Sequence, residues 1–529
     1  MKLPNSSDGI FVMIVGTTPP AGTDRREPRW RSADRRARDA VGGLFPAPAQ
    51  AMRRSWAMRA ASVAAQVAAV ALGALVLLWR IPGVPPWDSL YLDDYGTFFV
   101  RQLEHPWALF SPQHGYAQVY PHLVAQLATY APLAWVAPIF AITGAVTAAA
   151  CGLFVYHASA GHVRSRVLRG ALFLAILLLP MAPMEIADNT VNSPWYMLLA
   201  LFWACLWRPR TRTGMVVAAL LALVAAASTS LAIVFAPLLA ARLYVLRRPR
   251  DQAVAMGWLA GCLIQLPVIL SSYGSGNSPL NQTPTSSSSL AFYAHDVVLP
   301  SLGWRLSWWL QSLAGRDGAS WIVGAALAIV FVAIVAAQPQ SRPLVLTALL
   351  FGLFFTMVSA TLNPYNSGSP PVSPLGEGGA RYTALPIFLI EAAVIVGVDF
   401  ALSRRGQPFQ RPRAGSWSAL TSTTGVLALL VLTVIMVSWI PDYRYLASNR
   451  FAYTTKPWPE VVARWHHECE LSRTGEIRVR AMLAIPRPQE IPCSGLHFGS
   501  SPAPVTRGGR ERAGGAGARD ARGRPVQVR

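Results

Sequence analysis

The residues with the clearest potential for chemistry are Asp93 and Asp94, in the stretch Tyr91-Leu92-Asp93-Asp94-Tyr95-Gly96. Carboxylates are scarce in this chain, with 25 Asp and Glu in 529 residues, and this pair follows a long apolar segment. A carboxylate at a membrane exit can accept the proton of an attacking hydroxyl or bind a divalent cation beside a leaving phosphate. The alternative is a solvated Asp that caps the following helix. Capping explains one carboxylate better than two, so we predict that at least one of the pair is catalytic.

The loop after this pair contains three further polar rings, at His114, Tyr116 and His122. From Pro121 onward, apolar residues recur at helical spacing, which predicts a short helix at the membrane surface. The three rings would then stand near the lipid headgroups, where they could bind substrate. Ordinary interfacial side chains are the alternative for each of them.

A second polar hairpin, between two apolar runs, contains Glu185, Asp188, Asn189 and Asn192. Such oxygen ligands suit Mg²⁺ or Mn²⁺, and they suit hydrogen bonds to sugar hydroxyls equally well. A tight polar turn without a ligand is the third interpretation. We therefore treat Glu185 and Asp188 as candidate metal ligands and the two asparagines as candidate substrate-binding residues.

A later apolar run has an arginine at its start and a carboxyl group inside it. Arg381 stands at the predicted headgroup level, where a guanidinium can bind a phosphate through paired hydrogen bonds. Snorkelling toward lipid phosphates is the alternative. Glu391 follows about 15 Å deeper along a helix. A carboxyl group at that depth faces protein or water, either in a proton relay or in a hydrogen bond to a neighbouring helix.

The composition is that of a membrane protein. Hydrophobic residues make up 53% of the chain and charged residues only 13%, with a mean hydropathy of +0.35. A soluble protein of this size needs more charge, so the class is a polytopic membrane protein. The net charge is +21, and residues 1–59 and 499–529 are both rich in arginine. These tails hold few aromatic residues, so loose contact with anionic membrane lipids is expected and nucleic-acid binding is not.

Apolar runs predict an all-α fold with about eleven transmembrane helices, within a range of nine to twelve. The runs 194–207 and 214–228 are shorter than the roughly 20 residues that a bilayer needs, so paired short helices are expected there. The runs cover residues 57–79, 132–156, 167–184, 194–207, 214–228, 230–246, 253–271, 319–337, 343–361, 382–402 and 417–439.

The arginines between the runs predict the orientation. Loops on one side hold 14 arginines, although they are short, and the longer loops on the other side hold five. By the positive-inside rule the arginine-rich side is cytoplasmic. The N-terminus is then cytoplasmic, the C-terminus is extracytoplasmic, and the expected location is a bacterial plasma membrane. The inner arginines are Arg164, Arg166, Arg169, Arg208, Arg210, Arg212, Arg247, Arg248, Arg250, Arg342, Arg404, Arg405, Arg411 and Arg413.

Four regions follow from this topology. They are a disordered basic tail (1–52), a transmembrane domain (53–440), a small extracytoplasmic region (441–498) and a second disordered basic tail (499–529). The transmembrane domain is expected to have surface-lying helices in its first outer loop; its outer loops are predicted at 80–131, 185–193, 272–318 and 362–381.

The extracytoplasmic region contains two cysteines, Cys469 and Cys493. Outside the cytoplasm a disulfide between them is expected, with two unpaired thiols as the alternative.

The acidic pair Asp93-Asp94, the aromatic loop 98–130 and the polar region 441–498 together resemble the GT-C superfamily of membrane glycosyltransferases. That group contains the protein O-mannosyltransferases and the lipid A aminoarabinose transferase. The resemblance implies a sugar donor carried on a polyprenyl phosphate and an extracytoplasmic acceptor, which is a glycan, a lipid or a protein.

The resemblance also implies roles for single residues. Asp93 or Asp94 would be the general base or a metal ligand, and Arg381 would bind the phosphate of the lipid donor. Glu185 and Asp188 would correspond to an acidic motif in the second outer loop of the oligosaccharyltransferase branch. The chain departs from the family pattern because it has no Asp-x-Asp motif and a short second loop.

Two other classes of function compete with the transferase. A transporter or lipid flippase would need charged residues facing a pathway through the membrane and related halves. The predicted spans contain only Glu391 and Asp399 as acids, and the sequence has no internal repeat. A non-catalytic scaffold for envelope assembly would need neither Asp93 nor Asp94. The motifs of P-loop NTPases, zinc proteases and serine hydrolases are absent from the sequence.

Overall fold

The computed structural model describes most of the membrane domain and part of the C-terminal region. The predicted C-terminal tail, most of the N-terminal tail, His114 and Glu185 are not among the described residues, and neither are residues 273–285 and 363–379 of the third and fourth outer loops. The described residues are 34, 38, 41–46, 55–80, 84–91, 93–113, 115–180, 186–272, 286–362, 380–405, 417–443, 457–479 and 489–498.

Regular structure in these ranges is almost entirely helical. Short two-stranded antiparallel sheets pair β1 (Pro112–Gln113) with β2 (Tyr116–Ala117) and β3 (Glu476–Val479) with β4 (Gln489–Pro492). The α-helices are α1 (Trp56–Leu78), α2 (Val100–Glu104), α3 (Val119–Ala128), α4 (Val136–Ala158), α5 (Arg166–Leu177), α6 (Ser193–Leu206), α7 (Arg212–Ser228), α8 (Ala236–Val245), α9 (Pro249–Ser272), α10 (Ser286–Phe292), α11 (Trp304–Ala337), α12 (Arg342–Leu362), α13 (Ala380–Arg405), α14 (Trp417–Asp442) and α15 (Trp458–Leu471).

Every predicted apolar run contains an α-helix, and the helices of the described ranges fall into two groups by length. Seven apolar helices are long enough to cross a membrane. Helices α5 to α8 are shorter; the 12 residues of α5 rise only about 18 Å. The chain is therefore a multi-pass helical membrane protein with long and short helices in one bundle. The seven long segments are Trp56–Leu78, Leu133–Gly161, Pro249–Ser272, Trp304–Ala337, Arg342–Ala360, Arg381–Ser403 and Gly425–Asp442.

One end of the bundle, which we call the loop end, carries the long segment 84–131. Successive helices of the bundle return to this end, and side chains bond to backbone where they meet. These contacts join Asp94 to Thr190, Ser228 to Tyr120, Gln265 to Ala117 and Asp442 to Trp304.

At the opposite end, which we call the arginine end, lie the helix termini that are not at the loop end. The Asp399 carboxylate accepts hydrogen bonds from the backbone N–H groups of Arg164 (2.9 Å) and Ser165 (2.7 Å). The buried Arg242 guanidinium donates to the carbonyls of Cys205 and Trp207, both at 2.7 Å. Charged side chains thus satisfy the backbone groups that helix termini leave open.

The long helix α11 has a bend that separates two kinds of surface. Gly315 lies in the left-handed region with φ 70°, which glycine adopts without strain. Before the bend, Trp308 and Trp309 are exposed, as suits a membrane interface. Arg316 and Asp317 follow the bend, and from Ala319 onward the helix is almost entirely apolar, in agreement with the predicted run 319–337.

The C-terminal region packs on the first loop. Trp465 lies with its ring centroid 5.7 Å from that of Tyr95, and the Trp458 indole N–H donates to the Leu133 carbonyl at 2.8 Å. A disulfide joins Cys469 to Cys493 and ties α15 to the end of the β3–β4 hairpin. Because this region contacts the loop end, both lie on the same side of the bundle.

The short helix α3 is the one expected after Pro121. Leu123 and Leu127 are exposed on it, with 38% and 55% of their surface accessible, while Val124 packs inward. Together with the exposed Trp107 and Trp135, these residues form an apolar rim on the first loop that suits a surface-lying position.

Helix α4 approaches the second-loop hairpin so closely that a glycine is required. A Cβ at Gly144 would lie 2.6 Å from the Asn189 carbonyl oxygen and 2.8 Å from its carbon. We predict that Gly144→Ala lowers the melting temperature, because overpacking against backbone costs about 1–3 kcal/mol. The control is Gly170→Ala in α5, where a Cβ meets nothing within 4 Å. Measured by thermal unfolding of the purified variants, the melting temperature should fall for Gly144→Ala and rise for Gly170→Ala. Equal melting temperatures would contradict the close approach.

Candidate functional site

The Asp94 carboxylate is the centre of the candidate site. It is 1% exposed and accepts a hydrogen bond from Thr190 N to Oδ2 (3.0 Å) and another from Val191 N to Oδ1 (2.8 Å). The backbone from Asp93 to Phe99 forms a π-helical turn, a conformation that recurs at functional sites. The first and second loops are therefore joined through one acidic side chain.

Burial raises the pKa of Asp94 to about 8, while the N–H groups of Thr190 and Val191 act in the opposite direction. Asp93 raises it further through its charge. A carboxyl group whose pKa is displaced into the neutral range is typical of functional sites.

Asp93 has a different environment from its neighbour. Its side chain is half-buried, and its Oδ1 atom accepts a hydrogen bond from the Thr97 hydroxyl at 3.4 Å. Of the acidic pair, Asp93 is thus the carboxylate that an incoming group can reach, and Asp94 is the one that holds the two loops together.

The hairpin residues Asn189 and Asn192, expected to bind substrate, are instead buried to 1% exposure each. Asn189 donates through Nδ2 to the Ala187 carbonyl and accepts through Oδ1 from Asn192 N, both at 3.0 Å. The Thr190 hydroxyl donates to the Phe140 carbonyl at 2.9 Å. These side chains shape a tight turn, the third interpretation of the sequence, and present its backbone N–H groups to Asp94.

Arg80 is a functional candidate that the sequence patterns alone did not single out. It follows α1 directly, is fully buried, and donates to the carbonyls of Leu177 (2.7 Å) and Leu179 (2.8 Å). Burial lowers the pKa of Arg80 to about 10, so the guanidinium stays charged at neutral pH. The available signal was its position as the first charged residue after the 57–79 run.

On the hairpin side of this guanidinium, two side chains are buried without a hydrogen-bond partner in the described part of the chain. They are the Asp188 carboxylate, 4% exposed, and the Tyr196 hydroxyl, 1% exposed. Burial raises the pKa of Asp188 well above its ordinary value, and the positive charge of Arg80 acts in the opposite direction. Asp188 also adopts a positive φ of 57°, which is uncommon for a residue other than glycine.

Two further polar groups lie close to Arg80, one on α13 and one directly after α14. Glu391 on α13 is fully buried, next to the Trp439 indole, and interacts electrostatically with Arg80. The guanidinium Nε atom also reaches the Tyr443 carbonyl at 3.4 Å. The result is a buried polar cluster of Arg80, Asp188, Tyr196 and Glu391 beneath the hairpin, which we call the Arg80 cluster.

Arg381 lies at the edge of this arrangement. Its guanidinium carbon is 5.3 Å from the centre of the Tyr382 ring, and that ring packs edge-on against Trp195 at 5.0 Å. Trp195 is on the first turn of α6, directly after the hairpin. A chain of contacts therefore leads from Arg381 to the hairpin.

His122, expected near the headgroups, is instead fully buried. Its Nδ1 atom lies 2.8 Å from Gln102 Nε2, and its ring packs edge-on against Phe98 at 4.8 Å. Burial and then the charge of Arg101 lower the pKa of His122 to about 4, while the Ser111 backbone acts in the opposite direction. A neutral, buried imidazole of this kind supports the packing of the first loop. Tyr116 keeps partial exposure on β2.

The described residues do not form a metal centre. No group of three or more His, Cys, Asp and Glu side chains within them is close enough to hold a cation. Asp188 has the positive charge of Arg80 beside it, which opposes a divalent cation at the same place. Its expected co-ligand Glu185 is not in the part of the chain that the structure covers.

Comparisons with protein-family models, with curated proteins and with solved structures find no match to this chain. The class of the protein therefore rests on its own features: apolar helices of membrane-crossing length and a polar site at the loop end of their bundle.

The pKa of Asp94 leads to a test of this geometry. In the unfolded chain an Asp has a pKa of about 4, so the folded state binds the proton more tightly between about pH 4 and the folded value of about 8. The resulting stability is complete below that window and is lost as the pH rises through it. We predict that the melting temperature of the protein falls between about pH 5 and about pH 9.

Asp94→Asn cannot ionise, so its melting temperature should depend less on pH over the same range. The amide places an NH₂ group against one of the two backbone donors, so it should also lower stability by about 1–3 kcal/mol. Parallel pH profiles for the variant and the unmodified protein would contradict the burial of the Asp94 carboxyl group.

Proposed function

We propose that this protein is a membrane glycosyltransferase that moves a sugar from a polyprenyl-phosphate donor to an extracytoplasmic glycan, lipid or protein. The observation that carries the proposal is the attachment of the second-loop hairpin to Asp94, which leaves Asp93 partly accessible beside it. Adjacent carboxylates with separate environments, one fixed by backbone N–H groups and one reachable, suit a positioning residue and a general base.

The reaction assigns a role to each group. Asp93 accepts the proton of the acceptor hydroxyl while the acceptor oxygen forms a bond to the anomeric carbon of the sugar. The bond from that carbon to the phosphate oxygen breaks, and polyprenyl phosphate leaves with its negative charge. Arg381, at the membrane surface beside Tyr382, is suited to bind that phosphate.

An apolar cavity supports a lipid-linked donor. It has a volume of about 550 Å³ and lies between α11 and α12, with Leu327, Phe331 and Leu349 in its walls. Ile390 of α13 also lines it, directly next to Glu391 of the Arg80 cluster. Val335 of α11 and Arg342 at the start of α12 line it as well, so the cavity lies toward the arginine end, and an isoprenoid chain entering from the loop end would reach it past the middle of the bundle.

The proposal includes the full topology of about eleven spans, with the loop end extracytoplasmic and the protein in a bacterial plasma membrane. Contacts at the ends of the short helices α5 to α8 support this topology. They lie alternately at the arginine end and at the loop end, as expected if each helix runs from one end to the other. The excess of arginine in the loops of one end supports this orientation.

The test is transfer by the purified full-length protein in nanodiscs. Polyprenyl-phosphate sugars are incorporated with the lipid, cell-envelope material is offered as acceptor, and release of polyprenyl phosphate is measured. We predict that Asp93→Asn lowers the rate about 100-fold or more, as expected for loss of a general base. The matched control is Asp88→Asn, a half-buried carboxylate on the same loop, whose rate should stay within about twofold of the unmodified protein. Equal rates for the two variants would exclude Asp93 as the base.

The Arg80 cluster favours a second candidate, a transporter or lipid flippase, because it places ionisable groups inside the bundle. That function predicts substrate flux in proteoliposomes that is abolished by Glu391→Gln and unchanged by Asp93→Asn. The opposite pattern, transfer that needs Asp93 without flux, supports the transferase.

A further inference from the structure

A basic cavity lies at the arginine end, remote from the candidate site. It has a volume of about 600 Å³ and is formed by the segments that join α4 to α5 and α6 to α7. No carboxylate is among its lining residues, so the charge of the wall is strongly positive. Its arginines are Arg164, Arg166, Arg169, Arg208 and Arg210.

Two polar atoms beside the cavity make no hydrogen bond to a described residue. They are the Nε atom of Arg169 and the Nε2 atom of His162. The rest of the Arg169 guanidinium is held against Tyr156, over its ring and with Nη1 donating to its carbonyl at 3.5 Å. The wall thus keeps unpaired polar atoms next to its arginines.

Two carboxylates lie behind the cavity wall. Asp399 accepts the backbone N–H groups of Arg164 and Ser165, and Asp251 lies 3.7 Å from the Nε atom of the lining residue Arg208 and offsets part of its charge. The four other arginines of the cavity keep the wall positive. The N-terminus of α7 also opens here, with its N-cap residue Thr211 in the wall, and its dipole favours an anion.

An apolar groove continues from the basic cavity. It has a volume of about 500 Å³ and is lined by Ala65 and Ala69 of α1 and by Leu153 and Phe173. The groove and the cavity have three lining residues in common: His157, Arg166 and Arg169. The combined shape, a basic chamber that leads into an apolar groove beside α1, matches a phosphate headgroup with an attached hydrocarbon chain.

We propose that the basic cavity and the apolar groove together bind an anionic phospholipid, with its phosphate among the arginines and an acyl chain between α1 and α5. The site is separate from the transferase site and does not depend on that function. A free phosphate or diphosphate has the same headgroup chemistry, and the groove distinguishes the two sources.

The experiment measures lipid binding by the full-length protein, purified in nonionic detergent. Native mass spectrometry follows the titration of phosphatidylglycerol, with phosphatidylcholine as the neutral comparison, and calorimetry follows inorganic pyrophosphate. Phosphatidylglycerol should bind in preference to phosphatidylcholine. Arg166→Gln/Arg210→Gln, at two exposed arginines on opposite walls, should weaken phosphatidylglycerol binding about tenfold or more.

The matched control is Arg247→Gln/Arg248→Gln, which removes two exposed arginines of the same end away from the cavity. Its affinity should stay within about twofold. Equal losses in the two double variants would show a diffuse effect of charge and would overturn the site.

A variant in the groove separates lipid from free phosphate. Gly170 lines the groove, and a Cβ there meets nothing within 4 Å, so Gly170→Leu introduces an apolar side chain that occupies part of the groove. It should weaken phosphatidylglycerol binding about tenfold and leave any binding of pyrophosphate unchanged. Unchanged lipid affinity in this variant, with pyrophosphate binding that depends on Arg166 and Arg210, would overturn the lipid and assign the cavity to a free phosphate.

Discussion

The burial of the Arg80 guanidinium is the constraint on which the loop end depends. A cation inside an apolar bundle loses its hydration, and that loss must be offset by acceptors fixed in place. The carbonyls of Leu177, Leu179 and Tyr443 supply them from two distant parts of the chain. One side chain thus fixes the end of α1 against the end of α5 and the end of α14. The carboxyl groups of Asp188 and Glu391 lie near the same guanidinium.

The same rule recurs at several other buried helix termini. Backbone N–H and carbonyl groups at helix ends have no partner within the helix, and an apolar bundle has no water to provide one. Here arginines take the carbonyl ends and aspartates take the N–H ends, in keeping with the helix dipole. Arg242 binds the end of α6, and Asp399 and Asp442 bind the starts of α5 and α11. Asp94 binds backbone N–H groups of the hairpin before α6 in the same way, so this residue of the candidate site also stabilises the fold.

Much of the fold was predictable from the sequence because helix formation in a membrane protein depends on local hydrophobicity. Each apolar run became a helix, and the runs marked as too short, 194–207 and 214–228, match the short helices α6 and α7. The sequence also predicted that the acidic pair and the second-loop hairpin lie on the same side of the membrane, but it did not predict that they touch. The partners of polar side chains were not. Nothing in the spacing shows that Arg80 binds Leu177 and Leu179, or that His122 turns inward to Gln102, because these contacts depend on how the helices pack.

The distinction between Asp93 and Asp94 follows from packing in the same way. The residue after the pair, Tyr95, is held between Trp458 and Trp465, with ring distances of 6.3 Å and 5.7 Å. Hydrogen bonds from Thr190 and Val191 hold Asp94 on the other side. A turn fixed by both neighbours cannot rotate freely, so the partly exposed position of Asp93 is a property of the whole loop end.

This arrangement also limits the direction from which a substrate can arrive. The C-terminal region covers the first loop, and its disulfide makes it a stable cover rather than a loose segment. The apolar cavity between α11 and α12 is lined by Ile390 but also by Arg342 at the start of α12, so it lies toward the arginine end, whereas Arg381 stands at the loop end of α13. A lipid-linked donor of the proposed kind, with its headgroup at Arg381, would therefore have to extend its hydrocarbon chain along α13 to reach this cavity.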